Sequence, residues 1–178
     1  MGKYVAILRG INVGGRRKLP MSDLKALFQE LGYSEVKTYI QSGNVIFYAE
    51  DTKEAEISKA VENAIFERYA YEVPVICRNA EALQQSINKN PFFEDTVAEI
   101  ERLHLTFLKE TPEKQRLEKL KEYDFYPDEF VVKDKDVFIY CSGRYSDSKL
   151  SNSFFESKLK VPATTRNWKT VLKLAELV

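Results

Sequence analysis

Val36-Lys37-Thr38-Tyr39-Ile40-Gln41-Ser42-Gly43-Asn44-Val45-Ile46-Phe47-Tyr48 decides the fold. Two runs rich in β-branched and aromatic residues flank Ser42-Gly43-Asn44, which is turn chemistry, so the stretch predicts a β-hairpin. Working back from it, Leu24, Leu27, Phe28 and Leu31 fall at helical spacing and Gly32 ends that helix. Before the helix, Val5-Ala6-Ile7-Leu8 reads as a short buried strand. Working forward, Asp51 with Glu54 three positions later predicts an N-cap for a helix on Ile57, Val61, Ala64 and Ile65. Val73-Pro74-Val75-Ile76-Cys77 then supplies a strand. The sum is strand-helix-strand-strand-helix-strand, the order of the ferredoxin-like motif, in which an antiparallel sheet carries both helices on one face.

The same order recurs further along. After a helical connector around Ala80 to Ile87 come a strand at Leu103 to Leu108, a helix opened by Thr111-Pro112, a hairpin of Phe130-Val131-Val132 and Val137-Phe138-Ile139-Tyr140, and a helix on Leu150, Phe154 and Leu159. A closing helix is predicted from Asn167, with Trp168, Val171, Leu172 and Ala175 on one face. The expected architecture is therefore α+β, with two ferredoxin-like (βαββαβ) lobes in tandem and a C-terminal helix. Residues 1–80 form the first lobe, 81–102 a connector helix and loop, and 103–178 the second lobe with its closing helix. Asn88 to Glu101 holds Asn90-Pro91 and several acids and reads as the junction.

At 178 residues the chain can hold one domain or two small ones. Its apolar fraction of 44% and charged fraction of 30% are ordinary for a globular chain, and aromatics at 12% argue against disorder along most of its length. Cys77 and Cys141 form no close pair of the kind that holds zinc or exchanges disulfides, which fits a reducing cytoplasm. The apolar run that opens the chain is cut short by Arg9, so neither a secretory leader core nor a membrane span is expected there. Lysines and arginines balance aspartates and glutamates at 27 each, yet bases prevail at both ends of the chain and acids in its middle. Both ends are thus candidate anion sites.

Arg9-Gly10-Ile11-Asn12-Val13-Gly14-Gly15-Arg16-Arg17-Lys18 carries the most chemistry. A loop between a strand end and a helix start can offer backbone N–H groups to an anion, and its bases add charge. Gly14 and Gly15 would allow close approach of a phosphate, while planar guanidinium groups match its oxygens two at a time. The glycine spacing matches neither a Walker loop nor the dinucleotide fingerprint, and a flexible turn with solvated bases has the same composition.

Gln41, Ser42 and Asn44 at the hairpin tip can line a cleft or simply make the turn. In Cys141-Ser142-Gly143-Arg144-Tyr145-Ser146-Asp147-Ser148-Lys149, Ser146 and Lys149 have the spacing of a serine-lysine nucleophile pair, although serines before a helix are usually caps. Arg144 is better read as an anion contact. Thr165, Arg166 and Asn167 are read as the start of the last helix, where hydroxyls cap and an arginine can meet an anionic group. His104, the only histidine, points away from the face of Leu103 and Leu105 and has no ligand cluster around it, so no metal site is expected. Glu94-Asp95 and the pair Asp134 and Asp136 read as solvated loop acids.

Arg9-Gly10-Ile11-Asn12-Val13-Gly14-Gly15, then Lys18, Met21 and Leu24, then Thr38 through Val45, and finally Thr164 through Val171, together resemble the bacterial family catalogued as domain of unknown function 1697. The resemblance implies a cytoplasmic α+β protein of two ferredoxin-like lobes and implies no activity or cofactor. It also marks Arg9, Asn12, Gly14, Gly15, Lys18, Gln41, Ser42, Gly43, Asn44, Thr165, Arg166 and Asn167 as shared features.

Three functional readings follow. The first is a site for a phosphate-bearing small molecule or nucleotide, built from the Arg9 to Lys18 loop, the Gln41 to Asn44 turn and the Arg166 segment. The second is a nucleic-acid-binding module in which Tyr39, Phe47 and Tyr48 stack bases on a sheet face. The third is a protein-interaction role, with hairpins pairing edge to edge across a homodimer.

Overall fold

The computed structural model describes residues 1–93 and 99–178, and divides into two units, Met1–Gln84 with Leu174–Val178, and Gln85–Lys173. Strand alternation sets the layering of the first. In β1 (Gly2–Leu8), Tyr4, Ala6 and Leu8 face one side and Val5 and Ile7 the other, and all five are buried. The helix α1 (Met21–Glu30) buries Leu24, Leu27 and Phe28, a stripe at helical spacing, and Gly32, at φ +87, follows its last turn. The strands β2 (Ser34–Tyr39) and β3 (Asn44–Ala49) make the expected hairpin. The helix α2 (Glu54–Tyr69) buries Ile57, Val61 and Ile65, and β4 (Val75–Asn79) completes an antiparallel sheet in the order β2-β3-β1-β4. Both helices share one core with Tyr4, Ala6, Leu8, Val45, Phe47 and Cys77, so both cover the same sheet face. Phe47 sits at its centre, with ring centroids 4.8 Å from Tyr33 and 5.1 Å from Phe28.

The helix α3 (Ala80–Asn88) follows, capped where Asn79 Oδ1 accepts from the Ala82 N–H at 2.7 Å. The second unit repeats the plan with β5 (Leu103–Leu108), α4 (Lys114–Leu120), β6 (Glu129–Lys133), β7 (Asp136–Tyr140), α5 (Asn152–Leu159) and β8 (Ala163–Asn167). Its sheet is antiparallel in the order β6-β7-β5-β8. Leu108, Val137, Ile139 and Ala163 pack there with Leu120, Phe155 and Leu159 from the two helices. The chain ends in α6 (Trp168–Leu177).

Several expectations need correction. Residues 163–167 form β8, not a helix start: Thr164 and Thr165 pair with Phe107 and Thr106 of β5. β-branched residues suit a strand next to β5, and the helix waits for Asn167, whose Oδ1 accepts from the Thr170 N–H at 2.8 Å. Asn167 is thus the cap and Thr165 is not. In α6 the buried residues are Trp168, Thr170, Val171 and Leu174, while Leu172 and Ala175 are half-buried. Asp51 does not cap α2, because the Tyr4 hydroxyl donates to the Thr52 carbonyl at 3.1 Å and the chain stays extended to Lys53. Glu54 instead accepts from the Asn79 N–H at 2.9 Å. Asp136 is not a solvated loop acid, since it opens β7, is buried and accepts from the Ser86 hydroxyl at 2.5 Å. Asp134 is exposed and paired with Lys89 at 2.7 Å. Glu94 and Asp95 lie outside the described residues.

Candidate functional site

The basic loop of the first unit folds as a miniature hairpin, not as a cradle opening onto a helix. Val13 and Arg16 form a bridge around Gly14 and Gly15, and both glycines have positive φ, +59 and +73. Two successive positive φ values are what a two-residue turn of the primed type needs, and glycine supplies them without strain. Asn12 N–H donates to the Arg17 carbonyl at 3.2 Å and Arg16 N–H to the Val13 carbonyl at 3.1 Å, so these amides serve the hairpin. The tip is exposed, as are Arg16 and Lys18, whereas Arg9 and Arg17 are half-buried. The first helix starts only at Met21, after Pro20. The loop therefore displays charge on a finger and does not aim a row of amides at one point.

Asn12 joins this finger to the Gln41–Asn44 turn. Its Nδ2 donates to the Leu19 carbonyl at 2.9 Å and to the Gln41 carbonyl at 3.0 Å, and its Oδ1 accepts from the Leu19 N–H at 2.8 Å. Asn12 lies at φ +56, a region asparagine enters more readily than most residues. Gly43, at φ +85, presses on the base of the loop: a Cβ there would stand 2.7 Å from Ile11 Cδ1 and 2.9 Å from Leu8 Cβ. Its carbonyl accepts from the Leu8 N–H at 2.8 Å. Asn44 is fully buried, and its Nδ2 donates to the Tyr39 carbonyl at 3.0 Å and the Ser42 hydroxyl at 3.2 Å. Asn44 and Gly43 thus make the turn, while Gln41 stays exposed and Ser42 half-buried beside the finger. Arg9, Asn12, Gly14, Gly15, Arg16, Lys18, Gln41, Ser42 and Asn44 belong to one unit and lie at one end of its two central strands, where β1 ends and β3 begins.

The remaining site candidates belong to the second unit and play other parts there. Arg166 is buried, and its guanidinium donates to the Thr164 hydroxyl at 2.9 Å and the Thr165 carbonyl at 3.0 Å. Burial lowers its pKa to about 10. An arginine so enclosed braces β8 and is no surface anion contact. Arg144 is exposed in the loop after β7. That loop is tied down by Asp128, which accepts from Ser142 N–H and Oγ at 2.8 Å each and from Ser148 Oγ at 2.6 Å. Burial opposes the Asp128 charge, but these hydrogen bonds outweigh it and hold the carboxyl below its ordinary range. Ser146 faces Asp147 at 3.4 Å and not Lys149, and both Ser146 and Lys149 are exposed, so the serine-lysine spacing makes no nucleophile pair. Ser151 caps α5, accepting from the Phe154 N–H at 3.2 Å.

Sequence reasoning missed a partly buried polar group on the helix-facing side of β5. The ring of His104 stacks on Tyr145 with centroids 4.4 Å apart. Thr165 Oγ1 lies 2.7 Å from Thr106 Oγ1 and 3.1 Å from the Tyr145 hydroxyl, and it also meets Asn152. Burial lowers the His104 pKa, against a hydrogen bond to the Arg102 backbone that favours the charged form. Burial raises that of Tyr145, against its bond to Thr165. Thr165 is the hub, and only the β5–β8 pairing, invisible without the strand, brings the members together. Both cysteines are buried free thiols whose pKa values burial raises, so neither is an activated nucleophile. Among the described residues, no group of three histidines, cysteines or carboxylates could hold a metal ion, and no helix is long and apolar enough to cross a membrane.

The stacking platform of the nucleic-acid reading loses one member. Phe47 has no exposed surface, and on the other face of the same sheet Val5, Ile7, Ile46, Ile76 and Arg78 are buried as well.

Fold and site together define a two-unit α+β protein built on tandem antiparallel sheets, with a basic finger fastened to one of them. The chain belongs to the family described as protein of unknown function DUF1697, whose model matches residues 1–138. It is similar in fold to a conserved bacterial protein of Streptococcus pneumoniae, SP0830, with a TM-score of 0.76 and 23% identity over 99% of this chain and 98% of that one. No curated protein matches it in sequence.

Proposed function

We propose that the chain binds a phosphate-bearing small molecule or nucleotide on the Arg9–Lys18 finger of its first unit, with Gln41 and Ser42 at the rim. The observation that carries this reading is the Asn12 clamp. Bases on a loose loop would be solvated individually, but Asn12 fastens the base of the finger to Leu19 and Gln41, giving Arg16 and Lys18 a shared foundation. Pre-organised charge lowers the ordering cost of holding an anion. The ferredoxin-like type of both lobes belongs to the same reading, supported by the repeated strand and helix order and by the strand orders β2-β3-β1-β4 and β6-β7-β5-β8. So does a lobe limit near residue 80, with residues 81–102 as connector.

The test is calorimetric titration with pyrophosphate, nucleoside triphosphates and sugar phosphates. Saturable binding that an Arg16→Ala/Lys18→Ala double variant weakens at least about tenfold, with an unchanged melting temperature, supports the site. Equal binding by the variant, or none by the parent, removes it. A short RNA that binds with a steep salt dependence while the small phosphates do not would move the reading to nucleic acid.

A further inference from the structure

We propose that the cleft between α4 and β6 in the second unit is a docking site for an extended peptide segment that carries lysine or arginine among apolar side chains. The cleft holds about 540 Å³, with Leu117 and Leu120 of α4 on one side and Phe130 and Val132 of β6 on the other. Among the described residues β6 pairs only with β7, so it is an edge strand. Alternate residues of an edge strand present N–H and C=O groups outward, a template for one more strand. An edge strand beside a helix, with an apolar groove between, is the arrangement in which an added strand gains backbone hydrogen bonds and lodges every second side chain.

Charge selects the occupant. Glu118, Asp124, Asp128 and Glu129 line the cleft against a single base, Lys121, which is paired with Glu118 at 2.8 Å. Asp128 is held ionised by the hydrogen bonds from Ser142 and Ser148. Exposed Tyr123 also lines the cleft, with the Lys158 ammonium already 4.7 Å from its centroid, so four acids stand there against two bases in all. An acidic rim around an apolar floor suits a basic, apolar strand and repels an acidic one.

A second copy of the chain fits less well. Antiparallel pairing of β6 with another β6 would need Lys133 to answer Glu129. Lys133 Nζ is instead engaged elsewhere, donating to the Lys89 carbonyl at 2.8 Å and lying over the Phe138 ring. The two acidic rims would also be brought together.

The experiment titrates the full chain with a labelled peptide of alternating valine and lysine. Its controls are the glutamate counterpart and a form N-methylated at alternate residues, which cannot donate along one edge. Backbone amide NMR locates the response. The expected result is saturable binding of the lysine peptide, amide shifts confined to α4 and β6, and at least about tenfold weaker binding of both control peptides. An Asp124→Lys/Glu129→Lys variant with an unchanged melting temperature should lose the lysine peptide and gain the glutamate one. Shifts elsewhere, equal affinity for the methylated form, or a concentration-dependent dimer whose interface is β6 would each overturn the proposal.

Discussion

The Asn12 side-chain amide donates to the Gln41 backbone carbonyl across 29 positions of chain, so the basic finger and the hairpin turn stand or fall together. Replacing Asn12 separates two contributions, its hydrogen bonds and its backbone conformation. Asn12→Gly keeps the positive φ and loses the amide, and should cost about 1–2 kcal/mol; Asn12→Ala loses both and should cost about 1 kcal/mol more. Urea unfolding of the two variants checks this. Equal losses would mean that the conformation at position 12 carries no strain.

Gly43 and Gly14 share a positive φ but not a setting. A Cβ at Gly43 meets Ile11 and Leu8 inside 3 Å, whereas a Cβ at Gly14 meets nothing within 4 Å. Gly43→Ala should therefore destabilise by about 2–4 kcal/mol and Gly14→Ala by about 1 kcal/mol. Thermal melts that ranked the two the other way would contradict the packing assigned to the turn.

His104 gives stability a pH dependence of defined sign. Its folded pKa is depressed, so from its ordinary value of 6.5 downward the unfolded chain binds a proton that the folded chain refuses. Stability is fully present above pH 6.5 and falls as the pH drops toward the folded pKa, below which the loss levels off. A His104→Phe variant, which keeps an aromatic ring against Tyr145, should lack this component. Melting temperatures of parent and variant between pH 8 and pH 5 should diverge toward the acid end; parallel curves would show that His104 titrates as it does when unfolded.

Much of the fold was legible because local signals and long-range packing agreed. The 36–48 hairpin has β-branched strands, a glycine turn and a face that must be buried, and each demands the same structure. The failures came where two principles competed. Thr164-Thr165-Arg166 preceding Asn167 and Trp168 reads as a helix opening by its capping residues, yet its β-branched residues sit beside β5 as an edge strand. Asp51 has the spacing of a cap, but the Tyr4 hydroxyl, 48 positions away, holds the backbone at Thr52. The site was legible in composition and not in geometry. Gly14 and Gly15 look the same in a phosphate cradle and in a hairpin tip, and only the Val13–Arg16 bridge distinguishes them. The cleft beside β6 left no sequence signal, since its apolar floor is ordinary core periodicity on α4 and β6 and its acids are scattered over helix, loop and strand.

Arg166 provides the sharpest contrast between the two views. On sequence it is a basic residue beside hydroxyls, ready for an anion; in the fold it is buried and donates to Thr164 and Thr165. Truncating it would leave a void and orphan acceptors in a strand that also carries the Thr165 hub. Arg166→Ala should therefore lose about 2–4 kcal/mol of stability and leave the affinity for any phosphate ligand of the folded protein within about twofold of the parent. Arg16→Ala should do the reverse, with stability changed by less than about 0.5 kcal/mol and affinity reduced. Unfolding curves and titrations on the same two proteins decide it: an Arg166→Ala protein that melts like the parent but no longer binds would return Arg166 to the ligand site.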